Sequence, residues 1–411
     1  MNEKRCRFCA TPLEHTFVDL GTSPLSNTYL DEIQLAAMEP FYPLHAFVCS
    51  DCFLVQLEEH ETPEKIFTNY AYFSSYSASW LEHSRQYVEL MVERFKLGKK
   101  HQVVEIASND GYLLQYFAKY DIPVLGIEPA ENVARVACEA GIPTIAQFFG
   151  VTTARELVRQ GNSADLLLGN NVLAHVPDIN DFVAGMKIVL KTDGIITMEF
   201  PHLLQLIEQN QFDTIYHEHY SYLSLLTVLR IFDHHGLSIF DVQKLKTHGG
   251  SLRIYASHQG NKKYCPTDNV AHLIMKEREG GLGDVKTYTA FAESVDRTKR
   301  SLLRFLIKAK SEGKSIAGYG AAAKGNTLLN YCGIRQDFVD YVVDRSPHKQ
   351  GKYLPGTHIP IFAPQKISET RPDYLLILPW NLKEEIMEQM RHIREWGGRF
   401  VVPIPEVEVF E

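Results

Sequence analysis

Gln102 to Gln115 reads QVVEIASNDGYLLQ. The apolar run Val103, Val104 and Ile106 breaks at Ser108-Asn109-Asp110-Gly111 and resumes as Tyr112, Leu113, Leu114, Tyr116 and Phe117, the pattern of strand, tight turn and helix. Such a turn presents backbone N–H groups beside the C-terminal end of a strand. Small molecules bind at that edge in open α/β sheets.

The turn lacks the G-x-G-x-x-G of a dinucleotide site, and it carries Glu105 in the strand and Asp110 in the turn. Two acids facing a crevice repel a pyrophosphate and favour a cationic or uncharged ligand, so S-adenosylmethionine suits them better than NAD. The next strand, 122–127, ends in Glu128, 17 residues after Gly111. An acid about 20 residues on accepts the hydroxyls of a ribose. The expected cofactor edge is therefore Glu105, Ala107, Ser108, Asn109, Asp110 and Gly111, then Glu128 and Pro129, with Asn170 and Asn171 after the fourth strand. Phe148 or Phe149 would flank the adenine. A doubly wound unit with incidental surface acids is the structural alternative.

Outward from this stretch, strands 102–107, 122–127, 143–146, 165–169 and 194–200 alternate with helices 111–119, 130–140, 152–160 and 179–191. After a helix over 222–235, two β-patterned runs, 237–246 and 251–258, meet at Thr247-His248-Gly249-Gly250. Alternation argues for a parallel sheet, and the closing hairpin adds one antiparallel strand. The fold class is α/β: a seven-stranded Rossmann-like methyltransferase core, last strand antiparallel. A second α/β unit begins at Lys314, after polar helical sequence over 260–310. Its turn, Gly318-Tyr-Gly320-Ala-Ala-Ala-Lys324-Gly325-Asn326, reads equally as a phosphate cradle or as helix packing, and the P-loop spacing is absent.

The chain has 411 residues, enough for two or three domains, with 45% hydrophobic and 22% charged residues. A net charge of −8 without a basic block argues against a nucleic-acid partner. No signal-type segment or long apolar run is present, so a soluble cytoplasmic protein without a membrane partner is expected. Four of the seven cysteines form two C-x-x-C pairs, Cys6/Cys9 and Cys49/Cys52, across a 39-residue spacer. Two such pairs suit a tetrahedral Zn²⁺, and four sulfur ligands leave no open position, so the metal would be structural. The expected domains are 1–68 for zinc, 69–260 for S-adenosylmethionine and 261–411 for a C-terminal Rossmann-like unit with its helical linker.

The segment Tyr70-Ala-Tyr72-Phe73-Ser74-Ser75-Tyr76-Ser77 is either a lid on the pocket or packing between domains. The densest polar constellation is Tyr216-His217-Glu218-His219-Tyr220-Ser221-Tyr222. Its two histidines, two residues apart, do not share a helix face, so metal binding is the weaker reading. A base beside a carboxylate and a phenol suits proton abstraction next to a carbonyl. His175, after the fourth strand, would enter the same crevice or else serve as a capping histidine.

Together the C-x-x-C pairs, Y-A-Y-F-S-S-Y-S, E-I-A-S-N-D-G-Y-L-L, G-N-N-V-L-A-H-V-P-D, E-F-P-H-L, Y-H-E-H-Y-S-Y-L and G-Y-G-A-A-A-K-G-N resemble the sugar C-methyltransferase family, which adds branch methyls to nucleotide-linked keto-deoxysugars. The resemblance covers nearly the whole chain. It implies C-methylation, at C3 in preference to C5, of a dTDP-linked 4-keto-deoxysugar, with Tyr216, Glu218, His219, His175 and Tyr70 or Tyr72 lining the site. His219 is expected as base, held by Glu218, with Tyr216 donating to the oxyanion. Tyr76, His202, Lys324 and Asn326 are expected to contact the sugar nucleotide. An O-methyltransferase of a sugar or small metabolite, and a zinc-ribbon methyltransferase recruited to RNA or protein, are the competing readings.

Overall fold

The computed structural model describes residues 4–67 and 74–411. Tyr70 and Tyr72 lie outside the described residues. The N-terminal module contributes β1 (His15–Ser23), β2 (Tyr42–Val48) and β3 (Val55–Leu57). Next come β4 (Val103–Ile106), β5 (Val124–Ile127), β6 (Thr144–Ile145), β7 (Ala164–Asn170) and β8 (Leu190–Pro201), then β9 (Ser221–Tyr222), β10 (Leu237–Leu245) and β11 (Ser251–His258). The C-terminal unit holds β12 (Ile316–Tyr319), β13 (Tyr341–Val343), β14 (Ile361–Phe362), β15 (Tyr374–Ile377), β16 (Arg399–Val402) and β17 (Glu408–Phe410).

The central sheet has seven strands in the order β10-β11-β8-β7-β4-β5-β6. From β4 to β8 the pairing is parallel, and β11 runs antiparallel to both of its neighbours. The last strand is thus antiparallel as the hairpin requires, but it is inserted between β8 and β10 instead of closing the edge. All four residues of β4 are buried, as expected of a strand covered on both faces. One face packs Tyr87, Val88 and Met91 of the helix Ala78–Phe95 against Leu113 and Phe117. The C-terminal sheet, β14-β13-β12-β15-β16-β17, is parallel except for β17. Its edge strands β14 and β17 are too short for a period to register in sequence.

Two elements differ from expectation in ways that shape the site. The helix after β4 starts at Leu114, not 111, because Ala107, Asn109 and Gly111 all have positive φ and prolong the turn. The helix expected from 222 starts at Leu225. Tyr222 and Ser221 instead pair with Val55 and Gln56, so the polar constellation runs into the N-terminal sheet as its fourth strand. The segment read as linking helices is also part of the packing: Phe17 of β1 stacks on Phe291 at 4.6 Å, and one continuous core joins the N-terminal sheet to the C-terminal unit.

Candidate active site

The N-terminal metal site is built from two matching turns. Cys6 and Cys49 each accept, at their carbonyls, the N–H of the residue four positions on, Ala10 and Phe53, and both of those residues have left-handed φ. This curls each C-x-x-C so that its thiols converge. All four sulfurs lie within 4.8 Å of one another, with Cys6–Cys52 and Cys9–Cys49 at 3.5 Å. A tetrahedron with Zn–S bonds of about 2.3 Å has sulfur–sulfur edges of about 3.8 Å, so the four thiolates fit zinc.

At the edge of the central sheet, the turn Ala107–Gly111 bends under Glu128, whose carboxylate accepts the N–H groups of Asn109 at 3.0 Å and Ala130 at 2.9 Å. A Cβ at Gly111 would stand 3.0 Å from Ile142, and its φ of +77° favours glycine. Glu105 is fully buried, and among the described residues neither of its carboxylate oxygens has a hydrogen-bond partner. Burial, then the neighbouring Glu128 and Asp110, hold its carboxyl well above the ordinary range. Ser108 Oγ, Asp110 Oδ1 and both amide atoms of the buried Asn170 are likewise unsatisfied among the described residues. A set rich in acceptors and acids, with a glycine at the closest approach, fits a cationic nucleoside such as S-adenosylmethionine.

Ser74 and Ser75 donate their backbone N–H groups to Asn109 Oδ1 and Asp110 Oδ2, so the described end of the aromatic cluster lies over this turn. Tyr76 is largely exposed and meets His348 edge-on. Phe149 packs on Phe182 at 5.3 Å, whereas Phe148 is 42% exposed and is the one of the pair presented outward.

His175, following β7, brings the polar constellation to the same edge: its ring lies 4.6 Å from that of His219, and Tyr216 is 4.1 Å from His219 on another side. His219 Nδ1 donates to the Thr214 carbonyl at 2.9 Å, which leaves Nε2 as the acceptor. Burial, followed by the neighbouring His175, holds His219 well below its usual pKa. His175 is held at about 4 by burial. Both rings are therefore neutral near pH 7. Glu218 does not hold His219 as expected. Thr214 does, and the Glu218 carboxyl turns toward the N-terminal module, where Asn27 Nδ2 donates to it at 2.7 Å. Burial raises that carboxyl to about 7. His217 donates to Pro43 O and Tyr220 to Glu61 O, so three residues of the segment, with Glu218, anchor it to the N-terminal module.

The four residues expected to contact the sugar nucleotide fare differently. His202 is turned into the core, where it meets Glu277 at 2.7 Å, and Glu277 also accepts the N–H groups of Leu225 and Leu226 at the start of their helix. It is a buried structural pair, and the sequence offered no sign of its acid partner 75 positions away. Asn326 donates to the Ser26 carbonyl and ties the N-terminal loop to the C-terminal unit. Lys324 donates to Asn381 at 2.8 Å and lies over Trp380, yet its charge lowers the pKa of both His219 and His248, so it stands at the same cleft.

Several residues of the site were not anticipated. His248, at the hairpin tip with φ +54°, approaches Asn171 Nδ2 at 3.0 Å and stands edge-on to Trp80. Glu199, at the end of β8, is buried between Arg253 and His83. The T-H-G-G turn carried a signal for His248: a titratable residue at a hairpin tip followed by two glycines. Nothing local pointed to Asn27 or Thr214.

Three family models match the chain: a putative zinc binding domain over residues 6–67, a methyltransferase domain over 80–242 and a C-methyltransferase C-terminal domain over 246–405. The chain is 36% identical over 405 residues to C-methyltransferase NovU of Streptomyces niveus, covering 98% of this chain and 96% of that protein. A ubiquinone biosynthesis O-methyltransferase of Bartonella tribocorum is 27% identical over 96 residues, covering 23% of this chain and 39% of that protein. Among solved structures, PH0226 protein from Pyrococcus horikoshii OT3 aligns with a TM-score of 0.38 and 15% identity, over 48% of this chain and 98% of that one.

Proposed function

The chain belongs to the C-methyltransferase family, and from that premise we propose that it methylates a ring carbon, C3 in preference to C5, of a dTDP-linked 4-keto-deoxysugar. S-adenosylmethionine is the methyl donor, and zinc braces the N-terminal module. Thiolate-held zinc suits the reducing cytoplasm. We further propose residues 1–68, 69–260 and 261–411 as the zinc, cofactor and C-terminal domains.

The observation that carries the reading is His219: a neutral imidazole with Nδ1 committed to Thr214 O, beside a phenol and at the sheet edge that bears the acids. A carbon next to a ketone is acidic enough for such a base. In the proposed step His219 Nε2 takes the proton from that carbon, the C–H electron pair forms the enolate C=C bond as the carbonyl π pair moves to oxygen, and the Tyr216 hydroxyl donates to the developing oxyanion. Glu218, one residue before the base and with its carboxyl facing Asn27, is proposed as an active-site acid. When bound, S-adenosylmethionine supplies an electrophilic methyl group for the activated carbon. Glu128 would hold the ribose, and Glu105 and Asp110 would face the charged end of the cofactor. Lys324 is the cation proposed for the diphosphate.

Incubation with S-adenosylmethionine and a panel of dTDP-4-keto-deoxysugars in heavy water tests this by mass spectrometry. One added methyl on a ring carbon is expected, with deuterium entering that same position when cofactor is withheld. A methyl gained on oxygen, without exchange at any ring carbon, would replace C-methylation with O-methylation.

A further inference from the structure

The zinc module does more than brace the fold, and the loop between β1 and β2 shows where. That loop leaves the N-terminal sheet and is pinned to the C-terminal unit at three points. Asn326 donates to Ser26 O, the Tyr29 hydroxyl donates to Ala321 O at 2.6 Å, and Leu30 and Tyr353 exchange backbone hydrogen bonds at 3.0 and 2.9 Å. Between these pins stands Asn27. Its amide Nδ2 faces Glu218 Oε1 at 2.7 Å. Glu218 is itself only 4% exposed. Its carboxyl therefore depends on this neighbour for a hydrogen bond that water would otherwise provide.

We infer that Asn27, supplied by the zinc module, is a positioning residue for Glu218, fixing the direction of its carboxyl and favouring the charged form by donating to it. The inference rests on the reading of Glu218 as an active-site acid. The other titratable groups that face the carboxyl or its segment are Tyr29 from the same loop, Tyr220 on the segment itself and His175, which bonds the Glu218 main chain. Lys349 reaches Tyr29 from the C-terminal unit. His175 is neutral at the relevant pH because burial holds it near 4. Burial raises Glu218 to about 7, and the Asn27 amide is the group that opposes the rise. The Glu218 carboxyl is thus set by a loop whose two ends belong to the zinc-clipped sheet.

The test follows the carboxyl directly in the full zinc-loaded chain. An infrared difference titration identifies the Glu218 C=O band by its loss in Glu218→Gln, and the midpoint in the native protein is expected near 7. A donor to a charged group stabilises the ion about tenfold, so Asn27→Ala should raise the midpoint by about one unit and move the acid limb of kcat/KM with it. Asn27→Asp, of the same shape, removes the donor and adds a competing carboxyl, so it should raise the midpoint further and serves if the alanine variant fails to retain zinc. A midpoint unchanged in the folded variant overturns the inference. Glu218→Gln with full turnover would instead overturn the reading of Glu218 as an active-site acid, a separate result.

Discussion

At the end of β4, the turn Ala107–Gly111 leaves Ser108, Asp110 and the adjoining Glu105 with side-chain oxygens that no described residue satisfies. At the end of β12, the corresponding turn, 320–326, has several of its polar groups engaged by the protein itself, while Asn326 Oδ1 is unsatisfied among the described residues. Ala321 N–H donates to Asp344 at 2.8 Å, its carbonyl accepts from Tyr29 and Lys349, and Lys324 and Asn326 donate to Asn381 and Ser26. A phosphate on the Ala321 N–H would have to displace the Asp344 carboxylate. Both turns follow a buried parallel strand, and both need glycine at a positive φ. What differs is the company they keep: acids with unsatisfied oxygens on Glu105 and Asp110 around the first, and loops from other parts of the chain packed against the second. The same local device is proposed to hold a ligand in one place, and in the other it ties loops of the fold together.

The sharpest separation of these roles comes from the chemistry at the first edge. His219→Asn should lower kcat by about 10³ while S-adenosylmethionine affinity by calorimetry and the melting temperature stay at native values. A parallel loss of cofactor binding would mean that the base and the cofactor edge are not separable. Next in size is Gly320→Val in the second turn. Its Cβ would stand 2.5 Å from Pro379 at φ +90°, and about 3 kcal/mol of stability should be lost in denaturant melts without any change in cofactor affinity. Weakened cofactor binding in that variant would break the contrast between the turns.

Glu105→Gln should cost about tenfold in cofactor affinity yet stabilise the free protein. The sign follows from its raised pKa. Below the ordinary carboxylate range the group is protonated in both folded and unfolded chains and contributes nothing. As pH rises, ionisation is resisted in the fold alone, so the folded state is penalised increasingly. The melting temperature of the variant should therefore exceed that of the native protein at pH 8 and match it at pH 4. The smallest effect is expected at Phe148→Ala, about threefold in cofactor affinity with stability unchanged, because this ring is presented outward while Phe149 packs on Phe182. A larger loss from Phe149→Ala at equal stability would reverse that assignment.

Much of the site could be read in order along the chain. The strands of the central sheet announced themselves by apolar runs, the acids by their place at strand ends, and the four thiols by spacing. Some elements that escaped notice were too short to carry a period, such as β14 and β17, and others changed type through a distant partner, while β1 and β2 were long enough to register and were not read either. Tyr222 looks like the start of a helix until β3 offers it and Ser221 a strand to pair with. His202 looks like a site histidine until Glu277 buries it.

By itself, the amino-acid sequence determined the zinc ligands, the alternation that builds the seven-stranded sheet and the identity of the residues around His219, because these depend on spacing and on neighbours within a turn or a strand. Only the tertiary structure decided which carbonyl orients His219, that Asn27 and not His219 faces the Glu218 carboxyl, and that Asp344, Tyr29 and Lys349 engage Ala321 in the second glycine turn. Those partners lie far apart along the polypeptide, as with Asn27 and Glu218 at 191 positions. Hydrogen bonding between such groups is set by how three packed units meet, which no local pattern encodes.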